Sequence, residues 1–183
     1  KKGDKLIFLS WPNLPNYSAD FHIIENLINS IKFLNEISKT EISTIVCAGT
    51  CYEYGLKNGC LSESLETNPK NNYAIAKDTL RRILYQKFAK KNINLAWLRV
   101  FYPYGKGQNP NSLIPLLDQA IKNKEKTFNI SQGDQIRDFI KIDQVAKAFL
   151  ICARNNVNEI INVGSGKPIS IRDFLENYIK KII

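Results

Sequence analysis

Apolar residues in this chain alternate between short continuous runs and longer periodic stretches, and that alternation predicts the elements. Leu6 to Trp11 is a short apolar run suited to a buried strand, and Pro12 and Pro15 break it. From Phe21 to Lys39 the residues Ile24, Leu27, Ile28, Ile31, Leu34 and Ile37 recur at helical spacing, which predicts a long amphipathic helix. Ile42 to Ala48 reads as a second buried strand, closed by Gly49 and Thr50. A helix is expected over about Asn72 to Lys91, with Leu80, Ile83, Leu84 and Phe88 on one face, and Leu95 to Phe101 as a third strand. Strands and helices in strict alternation, with the strands almost wholly apolar, predict an α/β fold whose parallel sheet is covered on both faces. Beyond Gly105 the rhythm changes. The pattern there gives a helix over Ser112 to Lys122, a short strand over Phe128 to Ile130 and a helix over Ile142 to Asn155. A strand over Ile160 to Val163 and a closing helix over Ile171 to Ile182 complete it. No repeat or linker marks a boundary. Residues 1–105 are expected to form the main domain and 106–183 a small cap, with some elements returning to the main sheet.

Composition narrows the function classes. With 183 residues, 44 % of them apolar, the chain is long enough for one substantial core. Runs such as Leu113 to Leu117 fall far short of the roughly 18 residues a membrane helix needs, and no basic-then-apolar signal opens the chain. A cytoplasmic protein with no membrane partner is expected. The net charge of +9 suits a phosphate-bearing ligand, yet the lysines are scattered and no nucleic-acid motif accompanies them. Solvated helix faces account for them better, and no nucleic-acid partner is expected. Cys47, Cys51, Cys60 and Cys152 include no Cys-x-x-Cys pair, and one histidine, His22, leaves no zinc set. Free and mostly buried thiols, and no metal, are the expectation. His22 itself reads as a surface or capping residue early in its helix.

The segment Asn71-Asn72-Tyr73-Ala74-Ile75-Ala76-Lys77 carries the clearest chemistry. Tyr73 and Lys77 stand four apart on a helix and so share a face. A phenol titrates near 10, too high for a base at neutral pH, and a nearby ammonium favours the phenolate. Alone, that spacing is weak, since two common residues meet it by chance. Its context strengthens it: a strand ends upstream at Thr50, where open α/β sheets bind ligands, and the chain continues Cys51-Tyr52-Glu53-Tyr54-Gly55. Further on come Leu98 to Gly105, Gly133-Asp134-Gln135-Ile136-Arg137-Asp138-Phe139-Ile140, Asp143 to Ala146 and Asn162 to Pro168. Read alone, Thr50 serves equally as a plain strand end, and Arg137 as the partner of its neighbour Asp138. Gly105-Lys106-Gly107 and Gly164-Ser165-Gly166 lack the third glycine of a dinucleotide fingerprint and read as turns.

In this order and spacing the segments resemble the extended short-chain dehydrogenases, the NAD-dependent epimerase/dehydratase family that modifies nucleotide sugars. The resemblance runs from Leu6 to the last helix. It implies a partial Rossmann-like sheet with helices on both faces and a small C-terminal substrate-binding cap. It gives Thr50 the place of the family's catalytic Ser or Thr, Tyr73 that of the acid/base, and Lys77 that of the lysine supporting it. Tyr73 and Lys77 would also meet the cofactor, NAD or NADP. Arg137 resembles the arginine that clamps the nucleotide diphosphate, Ser112 and Leu113 the positions flanking the nucleotide, and Phe128 the strand that passes its base. Hydride transfer at sugar C4 follows as the expected reaction, in polysaccharide precursor synthesis, with a homodimer formed through the helices at Phe21 to Lys39 and Asn72 to Lys91.

Three departures qualify the resemblance. Cys51 and Tyr52 stand where the family's 4,6-dehydratases carry Asp-Glu, which favours a 4-epimerase or 4-keto-sugar reductase. Tyr102 stands where the family commonly has Asn. The third departure is the largest. Leu6 to Trp11 resembles the family's fourth strand, so the strands that would hold the dinucleotide lie outside this sequence. A longer protein, a split enzyme completed by another chain and a decayed gene product remain open, and the lack of any Met favours the first. A half-sheet with an uncovered edge is expected to be poorly stable and inclined to pair. The alternative function is a non-catalytic remnant that binds a nucleotide sugar or a partner.

Overall fold

The computed structural model describes residues 3–182; Lys1, Lys2 and Ile183, at the outer ends of the two expected domains, lie outside the described residues. Its contacts divide the chain into two compact units, one of residues 1–100 and 147–163, the other of residues 101–146 and 164–183.

The first unit is built on a four-stranded parallel sheet. Strands β1 (Asp4–Phe8), β2 (Ile42–Thr50), β3 (Asn94–Val100) and β7 (Ile160–Val163) lie in the order β1-β2-β3-β7. The register aligns Phe8 with Cys47, Cys47 with Trp97 and Trp97 with Ile160. Strand alternation divides the core. Ile45, Cys47, Leu95 and Trp97 cluster with Leu34 of α1 (Ile28–Ile37) and with Leu80, Leu84 and Phe88 of α2 (Asn72–Ala89). Val46, Ala96 and Leu98 project from the opposite face and are also fully buried, so the sheet is covered on both sides. Helix α4 (Ile142–Arg154) is anchored by buried Phe149, Cys152 and Ala153, and Lys5 Nζ donates to its last carbonyl, Arg154 O, at 2.9 Å.

Two elements differ from the sequence expectation. The strand expected over Leu6 to Trp11 runs instead from Asp4 to Phe8, because Leu9 is already exposed and Trp11 turns into a polar loop closed by Pro12 and Pro15. The long helix opens with a π-helical turn, His22–Leu27, before the regular α1. Among the described residues β1 pairs only with β2. A groove of about 520 Å³, lined by Leu6, Phe8, Leu9, Pro12 and Phe33, runs along that edge.

The second unit is made of short elements. Strand β4 (Tyr102–Tyr104) pairs in parallel with β6 (Phe139–Lys141), and β5 (Ile136–Arg137) pairs antiparallel with β8 (Ile169–Ser170). Helices α3 (Leu113–Lys122) and α5 (Ile171–Ile179) supply a small core of Ile114, Leu117, Phe174 and Leu175. The Phe174 ring stacks on Phe139 at 3.8 Å. The segment Phe128 to Ile130 is not a strand. Its three apolar or polar-flanked residues have no partner strand in the ladders, and they form irregular backbone along a groove.

Candidate active site

Thr50 is the last residue of β2, and its position is fixed from two directions. Its backbone is extended, and its hydroxyl accepts the Tyr52 amide at 3.3 Å to start a short 3₁₀ turn, Cys51–Tyr54. In return Glu53 Oε1 accepts the Thr50 amide at 3.0 Å, closing a reciprocal cap. Glu53 is wholly buried, and the same Oε1 accepts Trp97 Nε1 at 2.9 Å while Oε2 accepts Arg99 Nε at 2.8 Å. The residue before Thr50 must be glycine, because a Cβ at Gly49 would collide with both the Trp97 indole and the Glu53 carboxylate.

Helix α2 delivers the other two groups. Asn71 caps it, its Oδ1 accepting the Ala74 amide at 2.9 Å. Tyr73 then lies in the first turn and Lys77 one turn later, on the same face. The Tyr73 amide donates to Tyr17 O at 2.9 Å, tying the helix start to the loop after β1. Tyr73 is 8 % exposed and Lys77 3 %. The Thr50 side chain acts on the Tyr73 phenol, lowering its pKa against the effect of burial. Lys77 Nζ donates to Ala48 O at 2.8 Å and sits 4.0 Å from the centre of the Trp11 ring. Thr50, Tyr73 and Lys77, singled out in the sequence, are therefore brought together at the C-terminal end of β2.

Burial sets the electrostatics. It pushes the Tyr73 phenol well above its ordinary value, against the lowering effect of Thr50. Burial pulls the Lys77 ammonium down to about 8, opposed by Cys47 and Glu53, and drives the Cys47 thiol up to about 12. Tyr73 is thus a protonated donor at rest, and Lys77 changes charge close to neutral pH. A phenol, a hydroxyl that acts on it and a desolvated ammonium nearby are groups that can move a proton.

Two residues of this neighbourhood differ from or escaped the sequence reading. His22 was expected at the surface or in a cap, but it is fully buried. Its Nδ1 accepts Trp11 Nε1 at 3.1 Å, its Nε2 meets Asn16 O at 2.8 Å, and its ring lies 5.4 Å from that of Tyr73. The π-helical turn rotates His22 inward, which the regular periodicity did not foresee. Glu53 went unnoticed as a support for Thr50, although Thr followed three residues later by Glu is the signature of a capping box.

The remaining candidates belong to the second unit. Ser112 is the extended residue before α3, and its side chain makes no cap bond. Leu113 and Phe128 line a groove of about 460 Å³ with Leu116, Asn129 and Ile171. Arg137, on β5, donates from Nη1 to Ile136 O and from Nη2 to Gln135 Oε1, each at 2.8 Å, with its guanidinium 5.1 Å from the Tyr102 ring. It does not pair with Asp138. That carboxylate instead accepts the Ser165 and Gly166 amides at 2.7 and 2.9 Å. The Ser165 and Gly166 amides are therefore committed to a turn, not offered to a phosphate. Toward a nicotinamide cofactor, the Tyr73 hydroxyl can donate or accept and the Lys77 ammonium can donate, which is the hydrogen-bonding chemistry that ribose hydroxyls take. Among the described residues no group of three or more His, Cys, Asp or Glu side chains is placed to hold a metal ion, and no helix is long and apolar enough to cross a membrane.

Comparison with known proteins assigns the chain to a family. The profile of the NAD dependent epimerase/dehydratase family matches residues 14–164. The dTDP-6-deoxy-L-talose 4-dehydrogenase (NAD(+)) of Aggregatibacter actinomycetemcomitans is 30 % identical over 98 % of this chain and 66 % of its own length. The GDP-6-deoxy-D-talose 4-dehydrogenase of the same organism is 32 % identical over 80 % of this chain and 49 % of its own. Among solved structures, the UDP-N-acetylglucosamine 4-epimerase of Methanobrevibacter ruminantium, in complex with UDP-N-acetylmuramic acid, superimposes with a TM-score of 0.85. It is 28 % identical and aligns over 94 % of this chain and 58 % of its own. The chain thus spans between about half and two thirds of the length of these relatives. With the matched profile, the parallel sheet and the fold of that epimerase in agreement, the chain belongs to the NAD-dependent epimerase/dehydratase family.

Proposed function

We propose that the protein transfers hydride at C4 of a nucleotide sugar, as a 4-epimerase or a 4-keto-sugar reductase supplying polysaccharide precursors. The observation that carries this reading is the buried cluster of Thr50, Tyr73 and Lys77 at the end of β2. Tyr73 exchanges a proton with the sugar C4 oxygen, and Thr50 hydrogen-bonds the same oxygen. Lys77 binds the nicotinamide ribose and favours the phenolate when Tyr73 acts as base. NAD, when bound, supplies the accepting and returning of hydride; the named relatives support this choice, one of them carrying NAD(+) in its name. Cys51 and Tyr52 offer no carboxyl for water elimination, and Cys51 is buried while Tyr52 packs edge-on against Tyr17 at 5.2 Å. Dehydration is therefore not the reading.

Substrate recognition is assigned to the second unit. Leu113 and Phe128 provide apolar walls for a nucleotide base, Ser112 a free hydroxyl beside it, and Arg137 a planar fork for the diphosphate. A homodimer fits the exposed Ile24 and Ile28 on one predicted dimer helix and Ile75 and Ile83 on the other. Sedimentation that finds only monomer at micromolar concentration would count against it.

The decisive test is Tyr73→Phe. Turnover of nucleoside-diphosphate hexoses with NAD should fall about 10²- to 10⁴-fold, the usual contribution of a general acid/base, with the fold unchanged. Undiminished turnover in that variant would sink the assignment. A second reading, binding of a nucleotide sugar without turnover, draws on the share of the relatives' length that the chain spans. It predicts binding that depends on Arg137 and no quenching of Trp11 or Trp97 by NADH. NADH-dependent quenching, followed by turnover, excludes it.

A further inference from the structure

Two ring side chains, Trp11 and His22, lie against the Tyr73–Lys77 face without belonging to the proposed proton-transfer cluster. Trp11 lies in the loop after β1, and His22 in the π-helical turn. A tryptophan N–H only donates and a peptide carbonyl only accepts. The two bonds of His22, from Trp11 Nε1 to Nδ1 and from Nε2 to Asn16 O, are therefore satisfied together by one tautomer, with the proton on Nε2. Asn26 Nδ2 reaches the same Nδ1 at 3.3 Å and Pro12 O at 3.1 Å, so the imidazole is fixed from its own turn as well. The indole is thereby held by its edge. Its face meets Lys77 Nζ at 4.0 Å, well inside the range of a cation–π contact, and that ammonium is almost wholly desolvated.

We propose that His22 is a positioning residue for Lys77 and acts through Trp11, by holding the indole face under the ammonium and so setting the pH at which Lys77 loses its proton. The inference rests on the reading of Lys77 as the lysine that supports Tyr73. Its physical basis is a balance of opposed effects. Removal from water disfavours the ammonium, while the negative face of an indole favours it. The other groups that face Lys77 are Cys47 from β2, Glu53 from the 3₁₀ turn and Tyr73 from α2 itself. Tyr17 and Cys51 act on Tyr73. Of these, only Glu53 is an established anion partner of other cations, since Arg99 and Arg81 hold its second oxygen. Two contacts then stabilise charge on Lys77 without themselves titrating, the Ala48 carbonyl at 2.8 Å and the Trp11 face, and only the second depends on His22. A ring free to rotate by a few tens of degrees would present its edge, which repels a cation.

The test is a pH titration of this chain labelled with [ε-¹³C]lysine, with Lys77→Met identifying the Lys77 signal. Ordinary lysines titrate near 10.4, so a desolvated lysine stands apart. Trp11→Leu should lower the Lys77 midpoint by about one pH unit, the shift expected from losing a desolvated cation–π contact. His22→Leu, which leaves Trp11 Nε1 without its acceptor, should lower it by about half as much. His22→Gln, whose amide oxygen can accept the same proton, should restore it, and this pair carries the test if Trp11→Leu does not fold. A midpoint that stays in place in folded His22→Leu overturns the proposal. A midpoint that rises overturns it too, since a ring that only excludes water would give that result. The titration needs neither cofactor nor sugar. A shifted midpoint in a protein without turnover keeps the coupling and removes the catalytic reading, and an unmoved midpoint in an active protein does the reverse.

Discussion

Tyr73 lies 8 % exposed, its ring within 6.0 Å of those of Trp11, Tyr17 and His22, whereas Arg137 lies partly open on a strand of two residues. Arg137 is steadied by its own neighbours Ile136 and Gln135 and by the Tyr102 ring. The contrast follows from what each group must do. A phenol and an ammonium become useful for proton transfer only when burial and partners move them from their ordinary values. A guanidinium is charged at every relevant pH and needs only to reach its anion. The residues proposed to handle protons therefore sit on the long elements β2 and α2, packed into the main core, and the proposed nucleotide contacts sit on short strands, a helix start and irregular backbone.

The contrast is broken most severely at Glu53. Glu53→Ala leaves Arg99, 1 % exposed, without its carboxylate and releases the Thr50 amide. Stability should fall by about 3–5 kcal/mol, the usual penalty for orphaning a buried charge. Urea unfolding measures this, and a loss below about 1 kcal/mol would show that water already reaches the pair.

Lys77 gives the next largest effect, and its sign can be worked out. The folded-state value of about 8 lies below the ordinary 10.5, so between these the unfolded chain binds more protons than the folded one. The contribution of Lys77 to stability is therefore present above about 10.5 and is lost as the pH falls through about 8. Lys77→Met removes that titration. Wild type should gain about 3 kcal/mol relative to the variant between pH 8 and 10.5, from 1.36 kcal/mol per unit. The raised phenols of Tyr73 and Tyr85 act in the opposite sense but are shared by both proteins, and the Cys47 thiol, which Lys77 lowers, rises further in the variant. Denaturation curves at stepped pH check this, and parallel pH profiles for the two would contradict a depressed Lys77.

The exposed region should respond in affinity instead. Arg137→Ala removes a charged fork without opening a core, so stability should stay within about 0.5 kcal/mol. KM for the nucleotide sugar should rise about 10- to 100-fold with kcat little changed, as expected when charge-assisted hydrogen bonds that bind substrate and transition state alike are lost. A fall in kcat at constant KM would move Arg137 into the chemistry and erase the distinction between the regions.

The same contrast explains what could be read from the sequence. The apolar runs at Ile42 to Ala48 and Leu95 to Phe101 are buried on both faces, and such strands show in any local window. Tyr73 and Lys77 were visible because helical spacing places them on one face by local geometry alone. Strands β4, β5, β6 and β8 were missed because two or three residues carry no period. The expected strand at Phe128 failed for the converse reason: a few apolar residues line a groove wall as readily as they pair. His22 had no local signal at all. Its role depends on Trp11, eleven positions earlier, and on a π-helical turn that shifts the face it occupies.

The smallest effect tests how far the geometry of the buried cluster depends on its edge. Asn71 caps α2 through the Ala74 amide, two residues from Tyr73. Asn71→Ala should cost about 1 kcal/mol, a loss that Asp or Ser at the same position largely avoids. The frayed turn contains Tyr73, and the Tyr73 amide is bonded to Tyr17 O outside the helix. Turnover should accordingly fall, and fall more than in a surface substitution such as Lys39→Ala, whose salt bridge to Glu36 is largely solvated. Equal turnover in the two variants would mean that Tyr73 is held by its ring contacts and by Thr50 alone, and that the helix start contributes stability but not alignment.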